Sequence, residues 1–290
     1  MIFRLVLLSI ENEMRKRVIT QEKRKNIKFS AVILAAGSGS RMKSDLPKQY
    51  MPLCGRPLIT YAIDAFAEGD IDEIVLVCTP GDKGYMQDEI LGRYCEEAIR
   101  EVPGGIQIVE GGSERAESVL HGVRASQGEY VLIHDGARAF IDQETIGRIK
   151  EAVENWRACV AAVPEKNTIK IADEKACVES TPDRSRLWEI QTPQAFEREL
   201  LLDAYDLLLQ DGEDRNLKKI TDDASVLELA RELGRNSMDT RFDLPIRLVM
   251  GDYKNLKVTT PEDMLFGQAI LSARQVDGDG NHQEDHSEVE

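Results

Sequence analysis

AVILAAGSGSRMKSDLPKQY, residues 31–50, opens with a short apolar run suited to a buried strand and passes directly into a loop carrying Gly37 and Gly39. Three cations follow, Arg41, Lys43 and Lys48, within ten residues of the second glycine. Glycines bare backbone N–H groups that can cradle phosphate oxygens, because no side chain blocks close approach. Arginine and lysine supply the positive charge that a phosphate chain needs. A tight strand-to-helix turn would explain the glycines but not the cations. The stretch therefore predicts a nucleotide triphosphate site beside a buried strand.

Two familiar phosphate loops fit less well. The P-loop string, with four residues between its glycines and then Gly-Lys-Ser/Thr, is absent. The dinucleotide fingerprint asks for a third glycine where Met42 stands, and for a carboxylate at the end of the next strand. That strand, Glu73–Cys78, runs out into Cys78-Thr79-Pro80. A nicotinamide-dependent oxidoreductase is a poor reading.

Outward from this loop, strand and helix alternate. Strands are expected at Ala31–Leu34, Glu73–Val77, Ile106–Val109, Tyr130–His134, Cys159–Val163 and Arg247–Met250. Helices are expected between them, at Ile59–Ala67, Ala116–Ala125, Glu144–Asn155 and Ser225–Glu232. Short apolar strands separated by amphipathic helices indicate a parallel sheet covered on both faces, with ligands at the carboxyl ends of the strands. Pro164–Arg186 breaks the alternation: Thr168–Ala172, a charged turn near Asp173–Lys175 and Ala176–Ser180 form a hairpin pattern with no helix to cover it. Exposed edges of that kind call for a partner subunit.

A net charge of −15 argues against a nucleic-acid binder, which normally shows a basic face. Cations must therefore be concentrated at the anion site, as they are over 41–48. The five cysteines are scattered with no Cys-x-x-Cys pair, so neither a zinc site nor a disulfide framework is expected, and reduced thiols suit a cytoplasmic protein. Residues 1–28 carry eight Lys/Arg against three Asp/Glu; the apolar MIFRLVLLSI is too short to span a bilayer and is interrupted by Arg4. We read 1–28 as a flexible extension, with Met14 a plausible start, 29–275 as one domain, and the acidic 276–290 as a disordered tail.

Five further strings carry chemistry. In IHDGARAF (Ile133–Phe140), Asp135 ends a strand where it can take a metal ion or a ribose hydroxyl, and Arg138 can bind a phosphate; His134 reads as a structural hydrogen-bonding residue. In EGGSERAESV (Glu110–Val119), Ser113 is placed to cap a helix. In RSRLWEIQTPQAF (Arg184–Phe196), Pro193 is read as the end of an extended segment flanked by Thr192 and Gln194. In ITDDASVLE, Thr221 is the expected cap, with Asp222 and Asp223 complementing the helix dipole. In NLKVTTPED, Thr260 caps and Pro261 takes the first helical position, just after Lys257.

Together with LAAGSGSRM and PKQY these strings resemble, in register from about Phe29 to Leu271, the 2-C-methyl-D-erythritol 4-phosphate cytidylyltransferases. The resemblance implies a Rossmann-like, three-layer α/β nucleotidyltransferase fold with a mostly parallel sheet. It also implies a homodimer joined by a protruding β-hairpin arm over about 164–190. CTP with Mg²⁺ would bind over the glycine loop, a sugar-alcohol phosphate would attack the α-phosphorus, and pyrophosphate would leave. By the same resemblance Arg41, Lys48 and Lys257 are catalytic. Ala35, Ala36, Gly37, Gly39, Gly112, Ser118 and Asp135 bind CTP, with Asp135 also the candidate metal ligand. Arg138, Thr168, Arg184, Thr192 and Thr221 bind the acceptor.

The chain departs from the family's usual HDAARP at Gly136 and Ala139, which adds backbone freedom and removes a φ restraint. Ribitol-5-phosphate cytidylyltransferase shares the glycine loop and is the alternative within the superfamily. A non-catalytic nucleotide-binding homologue is the alternative outside enzymes. No motif offers a Ser–His or Cys–His pair, in keeping with a transfer that needs charge neutralisation more than a protein nucleophile.

Overall fold

The computed structural model describes residues 28–37, 46–210, 220–237 and 240–280. The chain builds a seven-stranded sheet from β1 (Phe29–Ala35), β4 (Glu73–Cys78), β5 (Ile106–Glu110), β6 (Tyr130–Asp135), β7 (Ala158–Pro164), β10 (Trp188–Glu197) and β11 (Arg247–Met250). Its order is β11-β7-β10-β6-β1-β4-β5. Every pairing is parallel except those of β10, which runs antiparallel between β6 and β7. All six strands expected from the apolar runs are present.

The seventh, β10, is the one the sequence hid. Pro193 does not end the strand: pairing with β7 resumes at Gln194 after a register shift beginning at Ile190, and the strand continues to Glu197. Proline lacks the N–H that a central ladder needs, and it survives here because it falls within the shift.

Side chains alternate across the sheet, so each strand feeds two cores. Ala31 and Ile33 of β1 face α1 (Leu58–Glu68) and α3 (Gln143–Trp156), joining Phe66 and Ile149. Val32 faces the opposite layer with Val119, Leu201 and Leu227. These belong to α2 (Arg115–Ala125), α4 (Arg198–Gln210) and α5 (Ala224–Ser237). The result is a three-layer α/β/α fold. A third cluster, Leu53, Leu58, Ala139, Phe140 and Val258, welds the loops above the sheet to α6 (Pro261–Gly280) and to the small ladder of β2 (Pro52–Leu53) and β3 (Arg56–Pro57). Helix α6 starts with Pro261, as expected, and is carried to Gly280, past the boundary read at 275.

The hairpin arm is present. β8 (Ile171–Ala172) and β9 (Val178–Ser180) pair with each other alone and are shorter than the sequence suggested. Ile171 and Val178 are 48% and 62% exposed. No helix among the described residues is long and apolar enough to cross a membrane.

The chain runs β1, β4, β5 toward one edge, then returns to place β6 on the other side of β1. The crevice at the carboxyl ends of β1 and β6 is therefore the switch point, where doubly wound sheets bind ligands.

Candidate active site

A cavity of about 310 Å³ opens at that switch point. Ala35, Ala36 and Gly37 leave β1 along one wall, and Lys48 stands on a single helical turn, Lys48–Tyr50, along another. Gln49 fixes this turn: buried to 2% exposure, it donates Nε2 to Ala35 O at 2.5 Å. Tyr50 is buried alongside it. The lysine is thus aimed by its own neighbours in PKQY. Gly39 and Arg41 lie outside the described residues.

The strand β5 supplies the next wall. Gly111 N–H donates to Cys78 O at 2.8 Å, and Gly112 N–H donates to Ser118 Oγ at 3.0 Å. Gly112 and Ser118, expected together, are together. The sterically demanding glycine is Gly111, which the motif reading passed over: a Cβ there would lie 2.6 Å from Ala36 Cβ and 2.7 Å from Ser118 Oγ. Ser113 does not cap α2; its N–H and hydroxyl both donate to Glu117 Oε2.

The floor of the site is an ion-pair chain. Asp135, at the end of β6, receives Lys257 Nζ on Oδ2 at 2.6 Å. Its Oδ1 faces Arg115, with NH2 at 3.3 Å and Nε at 3.4 Å. Arg115 in turn donates NH1 and NH2 to Asp223 Oδ1 and Oδ2, at 2.7 and 2.9 Å. Burial alone would raise the Asp135 carboxyl, but the charges of Arg115, Lys257 and Arg138 overcome it and hold the group well below the usual carboxylate range. Burial pushes the Asp223 carboxyl above its ordinary range, and Arg115 offsets only part of that. Lys257 is carried on an irregular segment pinned by Val258 N–H donating to Ala137 O at 2.8 Å.

Neither Arg115 nor Asp223 was given a role in the site from the sequence. The EGGSERAESV string contained the first, and the second was assigned to helix-dipole complementarity. That assignment is corrected: Asp223 is fully buried on Arg115, while Asp222, not Thr221, accepts from Ser225 N–H at the start of α5. Thr221 itself is exposed.

Other expected residues are placed differently. Thr192 is 4% exposed; its Oγ1 accepts from Asp135 N–H at 3.1 Å and lies 3.0 Å from His134 Nδ1. His134 Nε2 lies 3.0 Å from the Arg138 carbonyl, which only accepts, so Nε2 carries the proton and Thr192 donates to Nδ1. Burial lowers the His134 pKa to about 4, keeping the ring neutral. The structural reading of His134 holds, and Thr192 is occupied inside the fold.

Arg138, read as a phosphate ligand, does not line the cavity: NH1 and NH2 donate to the Asn255 and Ile190 carbonyls at 2.7 and 3.3 Å. Thr168 and Arg184 sit exposed on the arm, away from this cavity, with Arg184 NH1 donating to Lys166 O. Gly136 does not loosen its loop. Its N–H donates to Leu34 O at 2.9 Å, and a Cβ would also meet that oxygen at 2.9 Å, so in this chain the glycine lets the loop pack close against β1. Ala139 is packed in the third core cluster.

Among the described residues no group of three His, Cys, Asp or Glu side chains could hold a metal ion. Asp135 offers one carboxylate, which suits Mg²⁺ bound chiefly by substrate phosphates and water.

A glycine-lined wall with Lys48, Lys257 and the strand-end carboxylate of Asp135 at the switch point of a doubly wound sheet defines a nucleotidyltransferase-type site. A family model for 2-C-methyl-D-erythritol 4-phosphate cytidylyltransferase matches residues 29–273. A protein of that name from Lachnoclostridium phytofermentans is 41% identical over 249 residues, 86% of this chain and 98% of the relative. One from Lachnospira eligens is 43% identical over 244 residues, covering 83% and 98%. The crystal structure of 4-diphosphocytidyl-2C-methyl-D-erythritol synthase from Anaerococcus prevotii superposes with a TM-score of 0.68 at 32% identity, covering 84% of this chain and 98% of that one. The chain belongs to the 2-C-methyl-D-erythritol 4-phosphate cytidylyltransferase family. Neither the ribitol phosphate alternative nor the non-catalytic one is favoured.

Proposed function

We propose that this chain transfers CMP from CTP to 2-C-methyl-D-erythritol 4-phosphate, giving 4-diphosphocytidyl-2-C-methyl-D-erythritol and pyrophosphate for isoprenoid precursor synthesis. The observation that carries the site assignment is the placement of Lys48 and Lys257 on the same cavity as the β1 loop and Asp135.

Ala35, Ala36 and Gly37 present backbone to the triphosphate, with Gly39 and Arg41 following in the sequence. Gly112 and Ser118 face the base. Lys48, Lys257 and Arg41 surround the α-phosphate and stabilise the charge that develops as the acceptor oxygen attacks and pyrophosphate departs. No side chain needs to act as a nucleophile. Asp135 would hold Mg²⁺, which neutralises triphosphate charge when bound; Asp135 also holds the Lys257 ammonium in place.

The acceptor side is shared between subunits in this reading. The exposed arm reaches a second copy, forming a homodimer in the cytoplasm. Thr168 and Arg184 thereby approach the partner's cavity, where the exposed Thr221 is the acceptor contact offered by that chain itself, while Arg138 and Thr192 support the site from inside the fold.

The test is pyrophosphate release from CTP, UTP, ATP and GTP against methylerythritol phosphate and ribitol 5-phosphate. The expected result is release with CTP and methylerythritol phosphate alone. Preferred use of ribitol 5-phosphate would contradict the acceptor assignment.

A further inference from the structure

Asp223 lies behind the cavity wall, with no exposure, and among the described residues it reaches the cavity through Arg115. It is delivered there by a turn bolted to the sheet. Gln194 of β10, 1% exposed, accepts from Ala224 N–H at 2.8 Å and donates to Asp222 Oδ2 at 3.0 Å. The residues on both sides of Asp223 are thus tied to a central strand.

A fully buried carboxylate is costly to keep. Replacing a buried ion pair with apolar residues of similar volume is often neutral or stabilising, so stability alone gives little reason to retain one. The geometry offers another reason. The two-pronged contact fixes the plane of the Arg115 guanidinium, whose side chain is otherwise 33% exposed and lines the cavity. With NH1 and NH2 anchored, the Nε/NH2 edge meets Asp135 Oδ1. That leaves Oδ2 as the oxygen that receives Lys257.

We propose that Asp223 is a positioning residue for cytidylyl transfer: by locking Arg115 it orients the Asp135 carboxylate, and through it the Lys257 ammonium, toward the α-phosphate. The chain of contact is Asp223 to Arg115 to Asp135 to Lys257. The inference rests on the role given to Lys257 in the proposed reaction.

The test compares wild type, Asp223→Asn, Arg115→Met and the double variant Arg115→Met/Asp223→Leu in the full chain, by steady-state kinetics and thermal unfolding. Asp223→Asn is expected to lower kcat by about 10- to 100-fold, the size of loss that a misplacement near 1 Å produces. KM for CTP is expected to stay within about threefold, since ground-state binding is not what is lost.

Because Asp223 acts through Arg115, the double variant is expected to be no slower than Arg115→Met alone. Losses that multiply in the double variant, or wild-type kcat in Asp223→Asn, overturn the proposal. Should Asp223→Asn fail to fold, the double variant leaves no unpaired charge; once folded, a kcat equal to that of Arg115→Met supports the proposal, and a wild-type kcat or one below that of Arg115→Met overturns it. A crystal structure of Asp223→Asn reads the same point without turnover: a displaced Lys257 ammonium supports positioning, and an unchanged Lys257–Asp135 pair refutes it. An inactive wild-type chain would fault the assigned reaction instead, leaving that structural readout intact.

Discussion

The Lys257 ammonium lies 2.6 Å from Asp135 Oδ2, so the cation is seated before any substrate arrives. Preorganised charge costs no reorganisation as the reaction proceeds, which is why such groups accelerate the chemical step. Asp135 holds Lys257 and Arg115 on its two oxygens. Asp135→Asn is therefore expected to reduce kcat by at least about 10²-fold in a pyrophosphate-release assay. A loss under threefold would show that the cations do not depend on it.

Gly111 and Gly112 are expected to respond differently to alanine. At Gly111 the new methyl group meets Ala36 and Ser118 on two packed elements, whereas at Gly112 it meets the side chain of Glu117, which can swing aside. Overpacking of the first kind costs about 1–3 kcal/mol. Gly111→Ala is expected to lower the unfolding midpoint and raise KM for CTP, while Gly112→Ala lowers the midpoint less. Equal effects in calorimetry would contradict the steric assignment.

His134 makes stability depend on pH. Its folded pKa, about 4, lies below the usual value of 6.5, so the unfolded chain takes up the proton first as pH falls. The contribution is complete above pH 6.5, declines through that window, and is lost by about pH 4. The depression corresponds to about 3 kcal/mol at most. Denaturant unfolding of His134→Gln between pH 7.5 and 4.5 is expected to show a flatter profile than wild type. Parallel profiles would assign the acid sensitivity elsewhere.

Thr192 tests whether hydrogen bonding or substrate contact matters at that position. Thr192→Val preserves shape but leaves Asp135 N–H and His134 Nδ1 without their shared partner, a loss of about 1–3 kcal/mol. Thr192→Ser retains the hydroxyl and is expected to recover most of that stability. Serine destabilising as much as valine would show that the methyl group, not the hydroxyl, is what counts.

Much of the fold was legible because apolar runs such as Val131–Ile133 bury on both faces and have no helical period. β10 was obscured because Pro193 stands in its middle and the polar Gln191 and Gln194 occupy buried positions that an apolar pattern does not mark; Thr192 and Gln194 find their partners only in the tertiary structure. In the site, Lys48 and Asp135 could be read from local strings. Asp223 could not, because its meaning comes from Arg115, remote in the chain and adjacent in space. Gly136 was misread for the same reason, since the oxygen that a side chain would crowd belongs to Leu34 on the neighbouring strand.

The central claim is that Lys48 and Lys257 stabilise the transition state of cytidylyl transfer. Steady-state kinetics of Lys48→Ala and Lys257→Ala with CTP and methylerythritol phosphate test it most directly. The expected result is a fall in kcat of about 10²–10³-fold in each, with KM for CTP changed far less. Unchanged kcat with a raised KM in either variant would contradict the assignment and reduce that lysine to a ground-state phosphate contact.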